Sequence, residues 1–65
     1  MYPYNVIYIN YEDHIVETVA TFAHYSDAYA HCKAAIKGWT FAASTYLIFE
    51  NNVIVHSETF IPSVE

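Results

Sequence analysis

Residues 45–60 read TYLIFENNVIVHSETF, and this stretch decides the fold. Asn51 and Asn52 predict a two-residue turn, because asparagine tolerates the positive φ that tight hairpin turns require. The residues on either side are rich in β-branched and aromatic side chains, which favour strands. The stretch therefore predicts a β-hairpin with strands over residues 45–50 and 53–60.

A segment of similar composition lies near the start of the chain. Residues 4–11 and 14–22 each predict a strand, because most of their side chains are β-branched or aromatic. The polar pair Glu12 and Asp13 separates them, which makes a second hairpin. Neither residue is glycine, so a two-residue turn would be strained there. A longer loop is therefore possible, and the register of this hairpin stays open.

Between the hairpins the sequence predicts an α-helix over residues 27–37. Ser26 is expected to be its N-cap, and Asp27 places negative charge at the positive end of the helix dipole. Gly38 is expected to take the left-handed conformation that follows many helices. The apolar stripe of this helix is made mainly of small residues, so the helix can pack close to a sheet. The stripe consists of Ala28, Cys32, Ala35 and Ile36.

The predicted elements follow the order ββαββ. We expect a single α+β domain spanning residues 1–65, in which one helix packs on one face of a four-stranded antiparallel sheet. Trp39 and Phe41 are expected to close the open end of the core. Residues 63–65 are expected to form a tail after Pro62.

Both faces of this sheet are predicted to be apolar. Counting outward from the asparagine turn gives one face with Tyr46, Ile48, Val53 and Val55 and another with Leu47, Phe49, Ile54 and His56. The first hairpin divides in the same way, with Ile7, Ile9, Val16, Ala20 and Phe22 opposite Tyr4, Val6, Tyr8, Ile15 and Val19. A sheet covered on one side normally alternates apolar and polar residues. One helix covers one face, and the sequence does not indicate which.

The second apolar face needs an explanation. At about 25 cal/mol per Å², four or five uncovered large residues forfeit several kcal/mol. A small domain with a total stability of about 5–10 kcal/mol cannot easily lose that much. The leading interpretation is that the face is a homodimer interface, so a homodimer is expected, and the second interpretation is a patch for a different protein or a ligand. Alternatively, the exposed tyrosines are ordinary surface residues, and Trp39 and the tail fold over the rest.

The candidate contact residues follow from these faces. Tyrosine is a common interface anchor, since its ring buries area while its hydroxyl stays hydrated. The candidates for partner binding are Tyr4, Tyr8, Tyr46 and Phe49, with Glu12, Asp13 and Glu17 as an acidic rim. The candidates for the dimer interface are Val6, Ile15 and Val19.

Composition and charge narrow the classes of partner. The 65 residues carry seven acidic side chains against two lysines, which gives a net charge of −5. Nucleic-acid binding draws most of its affinity from Lys and Arg, so a nucleic-acid partner is not expected. A basic protein surface is the expected partner. No stretch approaches the roughly 20 apolar residues that span a bilayer. Cys32 is the lone cysteine, which favours a reducing compartment and a cytoplasmic location.

The sequence offers little chemistry. The possible metal ligands are His14, His24, Asp27, His31, Cys32 and His56. Asp27 and His31 could share an ion, but Cys32 points about 100° away from His31 around the helix, and a zinc site needs three or four converging donors. A single glycine allows no phosphate-binding loop, and Cys32 lies on the stripe expected to be buried. We therefore expect no metal, no cofactor and no catalytic residue.

In format the chain resembles small phage-encoded proteins that bind and disable a host enzyme or defence component. The similarity lies in the size, the acidity, the single ββαββ domain and the lack of catalytic residues, and it assigns no residue a role. It implies inhibition by surface occupation, in the host cytoplasm. Two alternatives remain open. One is a small-molecule or nucleotide binder with an aromatic pocket, and the other is a structural or accessory subunit.

Overall fold

The computed structural model describes residues 2–38 and 42–62 and confirms the α+β fold with the order ββαββ. Its elements are β1 (Tyr4–Asn10), β2 (Ile15–Phe22), α1 (Tyr25–Gly38), β3 (Ser44–Glu50) and β4 (Val53–Phe60). The four strands form one antiparallel sheet in the order β2-β1-β3-β4. The two hairpins therefore meet along β1 and β3, and β2 and β4 are the edges.

The asparagine turn is confirmed. Asn51 and Asn52 have φ values of 50° and 73°, as a tight hairpin turn of this kind requires. The first hairpin has a longer turn, which extends over residues 11–14. It is held by Asn10, whose Oδ1 accepts the backbone N–H groups of Glu12 and Asp13 at 2.9 and 3.0 Å. These two hydrogen bonds from the backbone to the Asn10 side chain stabilise the longer turn.

The helix begins earlier than the sequence predicts. It starts at Tyr25, and the backbone N–H of Ala28 donates to the carbonyl of His24 at 3.3 Å. Ser26 therefore lies inside the first turn, and the prediction that it is the N-cap is wrong. The left-handed assignment of Gly38 is also wrong, because Gly38 ends α1 without a positive φ. The expected roles of Trp39, Phe41 and residues 63–65 lie outside the described residues.

Each edge strand contains a β-bulge. In β2, Val19 is inserted where the register passes from the pair Val6↔Ala20 to the pair Ile7↔Thr18. In β4, Val55 is inserted in the same way, between the pairs Ile48↔His56 and Phe49↔Ile54. An extra residue reverses the faces of all residues beyond it, since side chains alternate along a strand.

The bulges change part of the predicted face assignment. Ala20 and Phe22 were expected on the face opposite Tyr4 and Val6, but they lie on the same face as those residues. His56 likewise moves to the face of Ile48, its cross-strand partner. The strict alternation assumed along β2 and β4 was therefore wrong at these three positions.

The core lies between α1 and one face of the sheet. Its buried residues are Val6, Ala28, Cys32, Ala35, Tyr46 and Ile48. Tyr4, Tyr8, Ala20, Phe22 and Ile36 pack against them and are partly buried. Three of the core residues are the small side chains of the helix stripe, so the helix lies close to the sheet as predicted. We call the sheet face beneath α1 the covered face.

Candidate functional site: the open face of the sheet

The sheet face opposite α1 is apolar and exposed, and we call it the open face. It forms a shallow concavity with a volume of about 460 Å³. This concavity is lined by Asn5, Ile7, Ile9, Val16, Thr18, Leu47, Phe49 and Asn52. Ile54 belongs to the same face, because it is the cross-strand partner of Phe49.

The open face follows from the two-residue period of the strands. Ile7 and Leu47 lie directly opposite each other on the two central strands and form its centre. Ile9 and Phe49 extend this centre towards the two ends of the sheet, and all four side chains are half-buried by their neighbours alone. The apolar residues at the edges are more exposed, with 68% of Val16 and 54% of Ile54 accessible.

A polar but uncharged margin surrounds this apolar centre. At one end, Tyr11 Oη and Thr45 Oγ1 share a hydrogen bond at 2.7 Å, and Thr45 Oγ1 lies 3.2 Å from Thr59 Oγ1. Asn5, Thr18 and Asn52 supply further polar groups. Among the described side chains that line the face, none is charged. An apolar centre within a polar rim is the usual anatomy of a protein interface.

The predicted acidic rim is only partly next to this face. Glu12 and Asp13 are exposed in the turn after Tyr11, at the end of the sheet that carries Ile9. Glu17 is exposed on β2, but it pairs with Tyr8 and points to the covered side. The rim is thus a feature of one end of the sheet.

The predicted contact tyrosines lie on the covered side. Tyr46 is buried, and its ring centroid is 5.0 Å from that of Tyr8. Tyr8 is partly buried and accepts a hydrogen bond from the Asn10 side chain at 2.9 Å, while Tyr4 packs against the core. Among the four aromatic candidates, Phe49 alone is on the open face.

The predicted dimer residues are not brought together. Val6 is fully buried beneath α1 and is therefore inaccessible to a second chain. Ile15 is exposed at the start of β2 on the covered side, and Val19 is exposed in the bulge. The residues that form the open face instead were visible in the sequence as one of two apolar faces. No signal in the sequence showed that the helix would take the other.

A row of aromatic side chains crosses the covered side near β4. The ring centroids of Tyr4 and Tyr25 are 6.0 Å apart, those of Tyr25 and Tyr29 are 6.0 Å apart, and Tyr29 lies 4.9 Å from His56. The Tyr4 hydroxyl donates to Glu50 at 3.3 Å. Burial, followed by the charge of Glu50, raises the pKa of the Tyr4 hydroxyl.

Beside this row, Glu58 is held by two donors. Lys33 Nζ donates to Glu58 Oε2 at 2.9 Å, and His56 Nε2 lies 2.8 Å from Glu58 Oε1. The hydrogen bond from Lys33 and then that from His56 hold the pKa of Glu58 below its ordinary value of 4.5. The same bond raises the pKa of Lys33. The group is a small ion-pair network at the margin of the helix.

The thiol of Cys32 has no access to solvent. The residue is fully buried on α1, and this burial, followed by the charge of Glu58, raises its pKa to about 11. The thiol therefore stays protonated at neutral pH and packs as a small apolar group. Within residues 2–38 and 42–62, no three His, Cys, Asp or Glu side chains converge as metal ligands do.

Comparison with known proteins gives no match. No protein-family model, curated protein or solved structure matches this chain. In the part of the chain that the structure describes, no helix has the length and apolar character needed to cross a membrane. Function must therefore be inferred from the chain's own geometry.

Proposed function

We propose that this protein is a non-enzymatic protein-binding module and that the open face is its binding surface. One observation carries the proposal: an acidic chain with a net charge of −5 presents, opposite its helix, a face with an apolar centre whose described side chains carry no charge. Exposed contiguous apolar patches of this kind mark interaction sites. Such a module acts by occupying the surface of its partner and turns over no substrate. Inhibition of a host protein, as the phage resemblance implies, is one form of that activity.

The shape of the open face favours a protein over a small molecule. Its volume of about 460 Å³ lies in the range of ligand pockets. A ligand pocket, however, encloses most of the surface of its ligand. The concavity here is shallow and has one wall, the sheet itself, so it matches the side chains of another protein better. A metabolite binder would be revealed by a rise in the melting temperature with a panel of nucleotides and aromatic metabolites.

Ile54 and Val53 provide a matched pair to test the surface. They are neighbours on β4 with similar exposures of 54% and 61%, but Ile54 points to the open face and Val53 to the covered side. A photo-crosslinking amino acid at position 54, in the full chain in its native cells, is expected to form protein adducts. The same amino acid at position 53 is expected to form none.

The adduct must then be verified with purified components. The captured protein, once identified, should bind the purified chain at least about tenfold more weakly after Ile54→Lys. Val53→Lys, which adds the same charge, should leave the affinity unchanged. A second probe at Val16, which also lies on the open face, provides an independent position. Absence of adducts from both positions 54 and 16 would rule out the open face as a binding surface. Equal adducts from position 53 would show that the binding surface lies elsewhere.

A further inference from the structure

We infer that the occupant of the open face is a second copy of this chain, so that two sheets pack face to face in a dimer. This inference rests on the proposed function, because it names the partner of the same surface. The open faces of the two copies would then form a second apolar layer between two helix-covered sheets. Sheets packed in this way lie about 10 Å apart with their strands roughly aligned.

The small size of the core is the first reason. Its fully buried side chains come from Val6 and Ile48 on the sheet and from Ala28 and Cys32 on the helix, with Ala35 almost fully buried. Domains of this length bury only about 60% of the surface that their unfolded chain exposes, and association is one common source of additional stability. A cover over the second face would add most to stability if it were present whenever the chain is folded. A second copy is the partner that is always made together with the chain.

Charge is the second reason. Two copies that each carry −5 repel each other, and the repulsion is weakest when the surfaces in contact are uncharged. The described side chains of the open face meet this condition. Glu12 and Asp13 lie in a turn at the end of the sheet, and Glu17 and Glu58 point to the covered side. A basic partner, by contrast, would find no acidic group to pair with among the described side chains of this face.

The area of the face is the third reason. Its strands are seven or eight residues long. At about 3.3 Å per residue and about 4.8 Å between strands, the face measures roughly 25 Å by 19 Å. Two such faces cover about 1,000 Å² in total, which is the lower threshold for a biological interface. A two-fold dimer uses the same patch twice, so the whole face is used on both copies.

The edge strands are less suited to the same task. A dimer could also form by extending the sheet through β2 or β4. Val19 in β2 and Val55 in β4 are bulged residues that interrupt the row of backbone donors and acceptors along each strand. Bulges on edges are a common way to prevent such pairing. The face therefore offers a better surface for self-association than either edge.

The test is the molar mass of the purified full chain, measured by light scattering from about 1 to about 100 µM, so that dimers with dissociation constants of micromolar order or tighter are detected. The expected mass is twice 7.5 kDa, or 15 kDa. Ile54→Lys is expected to shift the chain towards monomer, with a dimer dissociation constant raised at least about 100-fold. Val16→Lys should act in the same way, and Val53→Lys should remain a dimer.

Several results would overturn the inference. A monomeric wild type over the whole range would do so, and so would a dimer that Ile54→Lys and Val16→Lys leave intact. If Ile54→Lys unfolds while Val53→Lys stays folded, the melting temperature of the wild type decides. It should rise with concentration for a dimer, and a constant value would contradict dimerisation. If the chain is monomeric and another identified protein binds the open face, the proposed function stands without the dimer. If nothing binds there, both fail.

Discussion

The two faces of this sheet are similar in composition and opposite in surroundings. The covered face places Val6 and Ile48 beneath α1 with no accessible surface. The open face places Ile7 and Leu47 on the same two strands, next to Val6 and Ile48 respectively, where they stay partly accessible. Hydrophobic content alone therefore does not mark a residue as core. What decides is which face meets the helix, and the other face becomes a candidate for function.

The polar residues explain why the faces differ in role. The polar side chains of the covered face form hydrogen bonds with one another, as in the pairs Tyr4–Glu50 and His56–Glu58. The open face has uncharged polar groups at its margin and aliphatic groups at its centre. The first arrangement satisfies polar groups within the chain, while the second leaves an apolar centre that another surface can cover.

The largest expected effect is on the covered face. Ile48→Ala removes a fully buried side chain at the centre of the core and leaves a cavity. It should lower the free energy of unfolding by about 2–5 kcal/mol, enough to unfold much of a marginal domain. Urea denaturation followed by circular dichroism measures this loss. Val53→Ala, at an edge position that is 61% exposed, should cost under about 1 kcal/mol. Equal losses would contradict the assignment of the core.

A smaller effect is expected at Cys32. Cys32→Ser places a hydroxyl in the apolar layer between α1 and the sheet, and should cost about 1–3 kcal/mol. Cys32→Ala, which keeps the site apolar, should cost less. Because burial raises the pKa of the thiol to about 11, alkylation of the folded protein should stay slow from neutral to mildly alkaline pH. Rapid alkylation of the folded chain under these conditions would show that the covered face is open to solvent.

The smallest effect is expected at the margin of the helix. Since hydrogen bonds lower the pKa of Glu58 in the folded state, they stabilise the fold fully above its ordinary value of 4.5. This stabilisation is lost as the pH falls through the lowered pKa. Lys33→Gln removes the donor with the larger effect on this pKa. Above pH 4.5 the variant should therefore be less stable than the wild type, and in more acidic solution the two stabilities should converge.

Lys37→Gln is the control for this pH dependence. It removes the same charge from the same helix but does not touch the Glu58 carboxylate, so its stability curve should keep the acid-dependent part that Glu58 contributes. Urea denaturation at a series of pH values compares the two variants. A difference between Lys33→Gln and the wild type that persists unchanged in strong acid would show that the lysine acts through contacts other than that with Glu58, such as the Tyr29 ring, whose centroid lies 5.3 Å from Lys33 Nζ.

Much of the fold could be predicted from local chemistry. Asn51 and Asn52 specify their turn by backbone preference alone, and the stripe of Ala28, Cys32 and Ala35 fixes the helix face. The order of elements and the α+β class follow from these signals. Helix ends were less predictable. His24 precedes the helix and offers its backbone carbonyl rather than a side-chain cap, so Ser26 was the more obvious candidate.

The candidate site was predictable only as one of two possibilities. Val19 and Val55 look like ordinary strand residues, and their insertion depends on tertiary packing, so neither bulge has a sequence signature. Without them the faces of Ala20, Phe22 and His56 are reversed. Which of the two faces the helix covers also depends on tertiary packing, because both faces are apolar. Tyrosine is a typical interface anchor, yet Tyr46 lies in the core and the apolar residues of the open face are mainly aliphatic.

The most direct test of the central claim is an isotope-filtered nuclear Overhauser experiment on a mixture of methyl-labelled and unlabelled full chains. Signals that pass between copies should arise from the methyl groups of Ile7, Ile9 and Leu47, while Val6 and Ile48 should show none. This result would place a second copy on the open face. Contacts between copies that involve the edge strands alone, or no contacts at concentrations where the chain is folded, would contradict the account.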